Sequence, residues 1–206
     1  MKIYYKNGGF YLEPQESAVE ISEELHRTLI EGQSQGKQIV TGLDGVPMLA
    51  EPQPSQYHHW DGTAWKISPE QQATLLAEQR KKVRSKINAL RDAKSAGGVY
   101  VEQLGKWFDS DSKAQGKLLG LKATIDLVGD DMTVDWTCAD NTDFTGFGKP
   151  QLTAVIAAIL QAENHNHTIA RQHKAALEQA ENPLEYDYSS GWTQCYQDYL
   201  AEQGNG

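Results

Sequence analysis

Apolar and polar residues change rhythm several times along the chain. Ile3-Tyr4-Tyr5 and Gly9-Phe10-Tyr11-Leu12 flank Asn7-Gly8. Asn-Gly readily takes the positive φ angles of a tight turn, so residues 2–12 are expected to form a hairpin. A short helix follows. Ser22 is its expected N-cap, Glu23 and Glu24 suit the positive helix N-terminus, and Leu25, Leu29 and Ile30 make one apolar face. Gly32 is expected to end it. A second hairpin is expected from Lys37 to Thr41 and Val46 to Ala50, around Leu43-Asp44-Gly45. Glu51-Pro52-Gln53-Pro54-Ser55 then breaks regular structure and reads as a linker. Asp61-Gly62 marks a third hairpin, with Trp60 and Trp65 placed to pack across it.

The rhythm then lengthens. Ser68 as N-cap, Pro69 at the first helical position and Gln71 closing a capping box open a helix expected to run to about Ala93. Ala73, Leu76, Arg80, Val83, Ile87 and Leu90 recur at alternating spacings of three and four, a coiled-coil-like seam interrupted by Arg80. It is short enough to be either a self-associating coiled coil or a helix packed on the following module. Gly97-Gly98 stops it. Val99–Val101 and Leu104–Phe108 read as a hairpin carrying Trp107. Asp109 or Asp111 caps the next helix, whose face is Ala114, Leu118, Leu121, Ile125 and Val128. Met132–Cys138 and Phe144–Phe147 read as strands. Pro150 opens a long helix to about Ala180, with a stripe of Leu152, Ile156, Ile159, Asn166, Ile169, His173, Leu177 and Ala180 and with Val155 and Ala170 alongside.

These patterns predict an α+β protein. Residues 1–56 form a small β-rich module, 57–95 a tryptophan hairpin and connector helix, 96–192 an α+β module with long helices, and 193–206 a C-terminal extension. A net charge of −9 argues against a general nucleic-acid binder, because a phosphate backbone needs a cationic face. The start lacks the apolar core of a signal peptide. The longest apolar run, Leu152 to Leu160, is about half of the roughly 20 residues a membrane span needs. Membrane insertion is therefore not expected. Cys138 and Cys195 lack metal-ligand spacing and read as free thiols, although their spacing leaves a pairing open.

Candidate chemistry is sparse. His165 and His173 would lie roughly 12 Å apart along a helix, and no pair of histidines has the i, i+4 spacing that puts two ligands on one face. His165-Asn166-His167 lacks the further ligands of a metal-held nuclease. Asp109-Ser110-Asp111-Ser112 begins like a calcium loop but has neither the glycine nor the distal glutamate, and helix capping explains it better. Gly42–Gly45 and Gly97-Gly98 lack the lysine and hydroxyl of a phosphate loop and read as turns. No metal, cofactor or catalytic residue is assigned, and the chain is not expected to be an enzyme. Interface features are more evident. Tyr4, Phe10, Tyr11, Ile39, Trp60 and Trp65 are candidate partner contacts. Leu76, Val83, Ile87 and Leu90 form the connector face. Tyr186, Tyr188 and Trp192 either anchor a partner or fold back on the core. The basic run Arg80–Lys86 reads as a solvated face or a docking stripe for an acidic partner.

The order of motifs resembles a known family. Gly9-Phe10-Tyr11, Ile21-Ser22, the run from Gly32 to Val40, Gly45-Val46-Pro47, the hairpin from Trp60 to Trp65 and Ser68-Pro69-Glu70 are similar to phage tail fibre assembly proteins. From about Arg80 to Trp192 the chain resembles an uncharacterised domain often found in phage tail proteins. Its marks are Gly97-Gly98-Val99, Phe108-Asp109-Ser110-Asp111, Trp136, His165 in the long helix and the segment Tyr186–Trp192. The resemblance implies a chaperone acting on the C-terminal tip of a trimeric tail fibre in the cytoplasm of a host bacterium. The alternative it leaves is a structural component that stays at the virion fibre tip and contributes to binding a cell-surface glycan. A homo-oligomer through the connector is a further expectation.

Overall fold

The computed structural model describes residues 2–204 and has the expected α+β character. It divides into two compact units, residues 1–77 and 78–206.

In the first unit, β1 (Ile3–Lys6) and β2 (Gly9–Tyr11) form the expected hairpin, with Asn7 and Gly8 both at positive φ. A third strand, β3 (Val19–Ile21), pairs with the other edge of β1 and gives the order β2-β1-β3. Alternation turns Ile3 and Tyr5 inward, where they meet Ile21. Helix α1 (Glu23–Ser34) starts at Ser22, whose hydroxyl accepts from the Leu25 N–H at 3.1 Å. It does not stop at Gly32. That glycine is buried in the helix because the Leu49 side chain lies where its Cβ would be, and the chain turns instead at Gly36, with φ +93°. Strands β4 (Gln38–Thr41) and β5 (Pro47–Ala50) form the second hairpin, closed by Asp44 accepting from the Val46 N–H. Strands β6 (His59–Trp60) and β7 (Trp65–Lys66) form the third. Its turn is held by Asp61, which accepts from the N–H and hydroxyl of Thr63 and the N–H of Ala64.

Helix α2 (Pro69–Ala96) begins with the capping box of Ser68 and Gln71, and most of it belongs to the second unit. There β8 (Val99–Val101) and β9 (Lys106–Phe108) pair, then α3 (Ser112–Val128) is capped by Asp111 at 2.7 Å from the Ala114 N–H. Strands β10 (Val134–Thr137) and β11 (Asp143–Phe147) precede α4 (Lys149–Gln179), where the Gln151 side chain accepts from the Gly148 N–H. A final helix, α5, spans Tyr196–Gly204. The main core joins β8, β9, α3, β11 and α4 through Phe108, Leu118, Ile125, Phe147, Leu152, Val155 and Ile159. Val128, expected on the core face of α3, lies in the last turn beyond Ile125 and is 70% exposed.

Among the described residues no helix is long and apolar enough to cross a membrane. Both cysteines are free and buried. Burial pushes the Cys138 thiol above its ordinary pKa.

Candidate binding surfaces

Strand register sorts the candidate contacts of the first unit into two sets. Tyr5 opposes Phe10 and Tyr4 opposes Tyr11, so alternation places each pair on one face of the sheet. Phe10 packs on Tyr5 and, edge-on, on His26 at 4.6 Å, while Ile39 joins the same small core. Those side chains hold the unit together. Tyr4 and Tyr11 lie on the outer face, with Tyr11 exposed. The outer strands β2 and β3 and the two-stranded β4-β5 hairpin end in edges with no further strand paired to them among the described residues. Exposed Leu12, Leu43 and Met48 add apolar area.

Trp60 and Trp65 meet edge to face at 5.4 Å across their hairpin. Each indole N–H is already used, Trp60 donating to the Thr41 carbonyl and Trp65 to the Glu51 carbonyl, both at 2.8 Å. The pair therefore pins the hairpin to the preceding strands. Asp61 in its turn has a pKa lowered to about 2, chiefly by the Thr63 hydroxyl and then by the Ala64 and Thr63 N–H groups.

Val83, Ile87 and Leu90 of the connector face lie in the second unit, and Leu76 lies in the first. Val83 and Ile87 are buried against Ala170 and Leu177 of α4, so this part of the seam is an intramolecular helix packing rather than a free coiled-coil face. Leu76 and Leu90 are half-buried, and Ala73 is exposed. Arg80 interrupts the seam because it reaches the end of α4, donating to the Glu178 carbonyl at 2.9 Å. A cation is favourable beside the carbonyl end of a helix. Arg84 holds the Glu178 carboxylate at 2.7 Å. The basic run thus contributes two arginines to internal contacts, while Lys81, Lys82 and Lys86 stay exposed.

The aromatic tail folds back. Tyr186, Tyr188 and Trp192 are half-buried against the Val83–Leu177 cluster. His173 donates from Nε2 to the Ser190 carbonyl and bonds the Tyr186 hydroxyl through Nδ1, at 2.9 Å each, and stacks on Trp192 at 5.6 Å. Asn166 is wholly buried and bonded to the N–H and hydroxyl of Thr193, and its amide also donates to the Ser95 hydroxyl. His165 meets the Gly191 carbonyl at 2.8 Å. His165, Asn166 and His173 of α4 thus fasten the returning tail, and no group of three or more His, Cys, Asp or Glu placed to hold a metal occurs among the described residues.

The sequence pattern did not single out the surface around Tyr100. This side chain is 49% exposed between buried Val99 and Val101, and concavities of about 520, 440 and 500 Å³ meet at it. Trp107 forms a floor, with Tyr100, Tyr196 and Tyr199 at centroid distances of 5.5, 5.8 and 5.5 Å. At one end Lys106 pairs with Asp140 at 3.0 Å. The Asp140 pKa is lowered to about 2, first by the Thr142 hydroxyl and N–H and then by Lys106. The available signals were weak: one outward tyrosine in a strand and two tyrosines three apart near the C-terminus.

Residues 78–190 match the family described as Domain of unknown function (DUF4376), and the chain belongs to that family. No curated protein and no solved structure matches the chain.

Proposed function

We propose that this protein acts stoichiometrically, by binding, as an assembly chaperone for the C-terminal tip of a trimeric bacteriophage tail fibre, in the cytoplasm of the host bacterium. Residues 1 to about 56, within the first unit, make the main fibre contact in this reading. The observation that carries it is the combination there of open strand edges with the outward tyrosines Tyr4 and Tyr11. An edge strand accepts a partner strand through its unpaired N–H and carbonyl groups, and side chains on the adjoining face supply selectivity. A trimeric fibre must pair segments from three chains, a slow non-local process that leaves edges and apolar surface exposed meanwhile. Covering such a tip requires a docking surface and no reactive group. The motif order of the first 70 residues, similar to tail fibre assembly proteins, supports the same reading.

The test is titration of this protein into co-expression or refolding of a tail fibre. Binding predicts that correctly folded fibre rises with the amount added and saturates near a fixed ratio. Processing of a large fibre excess by trace amounts, or abolition of the effect by a chelator, would overturn it. Rescue by a chain that starts at Tyr57 would move the contact out of residues 1–56. Mature particles that still carry the protein would identify a resident tip component instead.

A further inference from the structure

We propose that the second unit carries a saccharide-binding groove centred on Tyr100, suited to a neutral oligosaccharide. The three concavities adjoin one another at Tyr100. Two share Trp107 and Gln194, and two share Ala158 and Gln161. One wall follows α4 from Pro150 to His165, roughly 22 Å at the helical rise per residue, which suits an extended ligand of several linked rings.

The chemistry of the lining selects the ligand class. Tyr100, Tyr196 and Tyr199 line the groove with flat, weakly polar rings, a surface that suits the C–H face of a sugar, and each ring carries a hydroxyl. Gln103 and Gln161 bring amides with no hydrogen-bond partner among the described residues. An amide both donates and accepts, as a sugar hydroxyl does. The charges at the Lys106 end cancel in an ion pair, so nothing there rewards a phosphate, a nucleotide or an acidic chain. The α4 wall is paved with alanines, including Ala154, Ala157 and Ala158, and offers no deep apolar hole for the anchor side chain of a peptide.

The C-terminal segment builds one side of this groove, and it lies beyond the matched family segment. The Tyr196 N–H donates to the Gly97 carbonyl at 2.9 Å, and Lys94 pairs with Asp198 at 2.5 Å. Gly97 is required, because a Cβ there would lie 2.7 Å from that of Cys195. The part of the groove lined by Gln194, Tyr196 and Tyr199 thus forms only with the tail docked. This inference is independent of the fibre-chaperone reading.

The experiment is binding of the full chain to an immobilised panel of neutral hexose and N-acetylhexosamine oligosaccharides, with sialylated and sulfated members of equal length. The expected result is binding of at least one neutral member. It should weaken at least tenfold in Tyr100→Ala and in Gln161→Ala, whereas Tyr100→Phe keeps most of it. Circular dichroism should be unchanged, since Tyr100 is half-exposed. Absence of any neutral binder, preference for the anionic members, or indifference to Tyr100→Ala overturns the proposal. So does capture of an extended fibre peptide that Tyr100→Ala abolishes. Fibre rescue by the Tyr100→Ala protein, measured separately, reports only on the chaperone reading and should equal that of the unaltered chain.

Discussion

In the first unit, the contacts that hold the fold are mostly short in sequence. Tyr4 pairs with Tyr11, Asp44 closes onto Val46, and Asp61 closes onto Thr63. In the second unit, Arg80 reaches Glu178 across 98 positions and Lys94 reaches Asp198 across 104. The first is an assembly of hairpins and one helix around a few side chains. The second wraps long helices on one another and closes them with a returning tail. A surface of open edges follows from the first design and a concave groove from the second. The proposed strand capture and the proposed saccharide groove therefore fall to different halves of the chain.

The largest expected effect separates the two designs. Ile87→Asp would bury an unpaired charge among Val83, Ala170 and Leu177, at a cost of about 3–5 kcal/mol. Thermal unfolding should show loss of the second unit, while the indole NMR signals of Trp60 and Trp65 persist. An unchanged melting temperature would deny that the face is buried, and simultaneous loss of those signals would deny that the units are separable.

Tail closure is the next lever. Gly97→Ala should cost about 1–3 kcal/mol, the usual range for overpacking, because its new methyl meets the Cys195 Cβ and also the Ala93 carbonyl at 3.0 Å. The Cys195 thiol should then react faster with a thiol reagent, while Cys138 should not. Equal reactivity of Cys195 in both proteins would show that the tail does not depend on this close approach.

The corresponding glycine of the first unit should matter less. In a helix interior, alanine is ordinarily favoured over glycine by about 1 kcal/mol. In Gly32→Ala that gain opposes a clash with the end of the Leu49 side chain, which can rotate away. A net loss of about 1 kcal/mol or less is expected, read as a small shift in the denaturant midpoint. A loss as large as that of Gly97→Ala would mean the small core is packed as rigidly as the large one.

The smallest effects concern two matching turns. Asp61 and Asp140 each accept from the N–H and hydroxyl of a threonine two residues on. Both pKa values are held at about 2, against roughly 3.9 for a free aspartate. A carboxylate held low in the folded state stabilises it above the unfolded pKa. That contribution fades as pH falls from about 4 towards 2. NMR titration should give midpoints near 2 for both. Lys106→Met should raise only the Asp140 midpoint, since Lys106 contributes there and not at Asp61. An unmoved Asp140 would assign its whole shift to the threonine.

Local chemistry was legible in advance. Asn7-Gly8, Asp61-Gly62, the Ser22 cap, the Ser68–Gln71 box and the Asp111 cap each act within a few residues, so the chain order alone identifies them. Strand β3 was not legible, since Val19–Ile21 is too short to show alternation and gains its place only by pairing with β1. Gly32 misled because a glycine that ends a helix and one that admits a neighbouring side chain look alike in sequence.

By itself, then, the sequence determined the hairpins, the helix starts and the apolar stripes, because turn propensity, capping and periodicity are properties of adjacent residues. Tertiary structure alone decided where distant groups meet: the inward turn of Phe10 and the outward turn of Tyr11, the closure of Tyr186 and Trp192 onto His173, and the gathering of Tyr100, Trp107, Tyr196 and Tyr199. Such meetings depend on burial competing across the whole unit, and a groove belongs to no single segment of the chain.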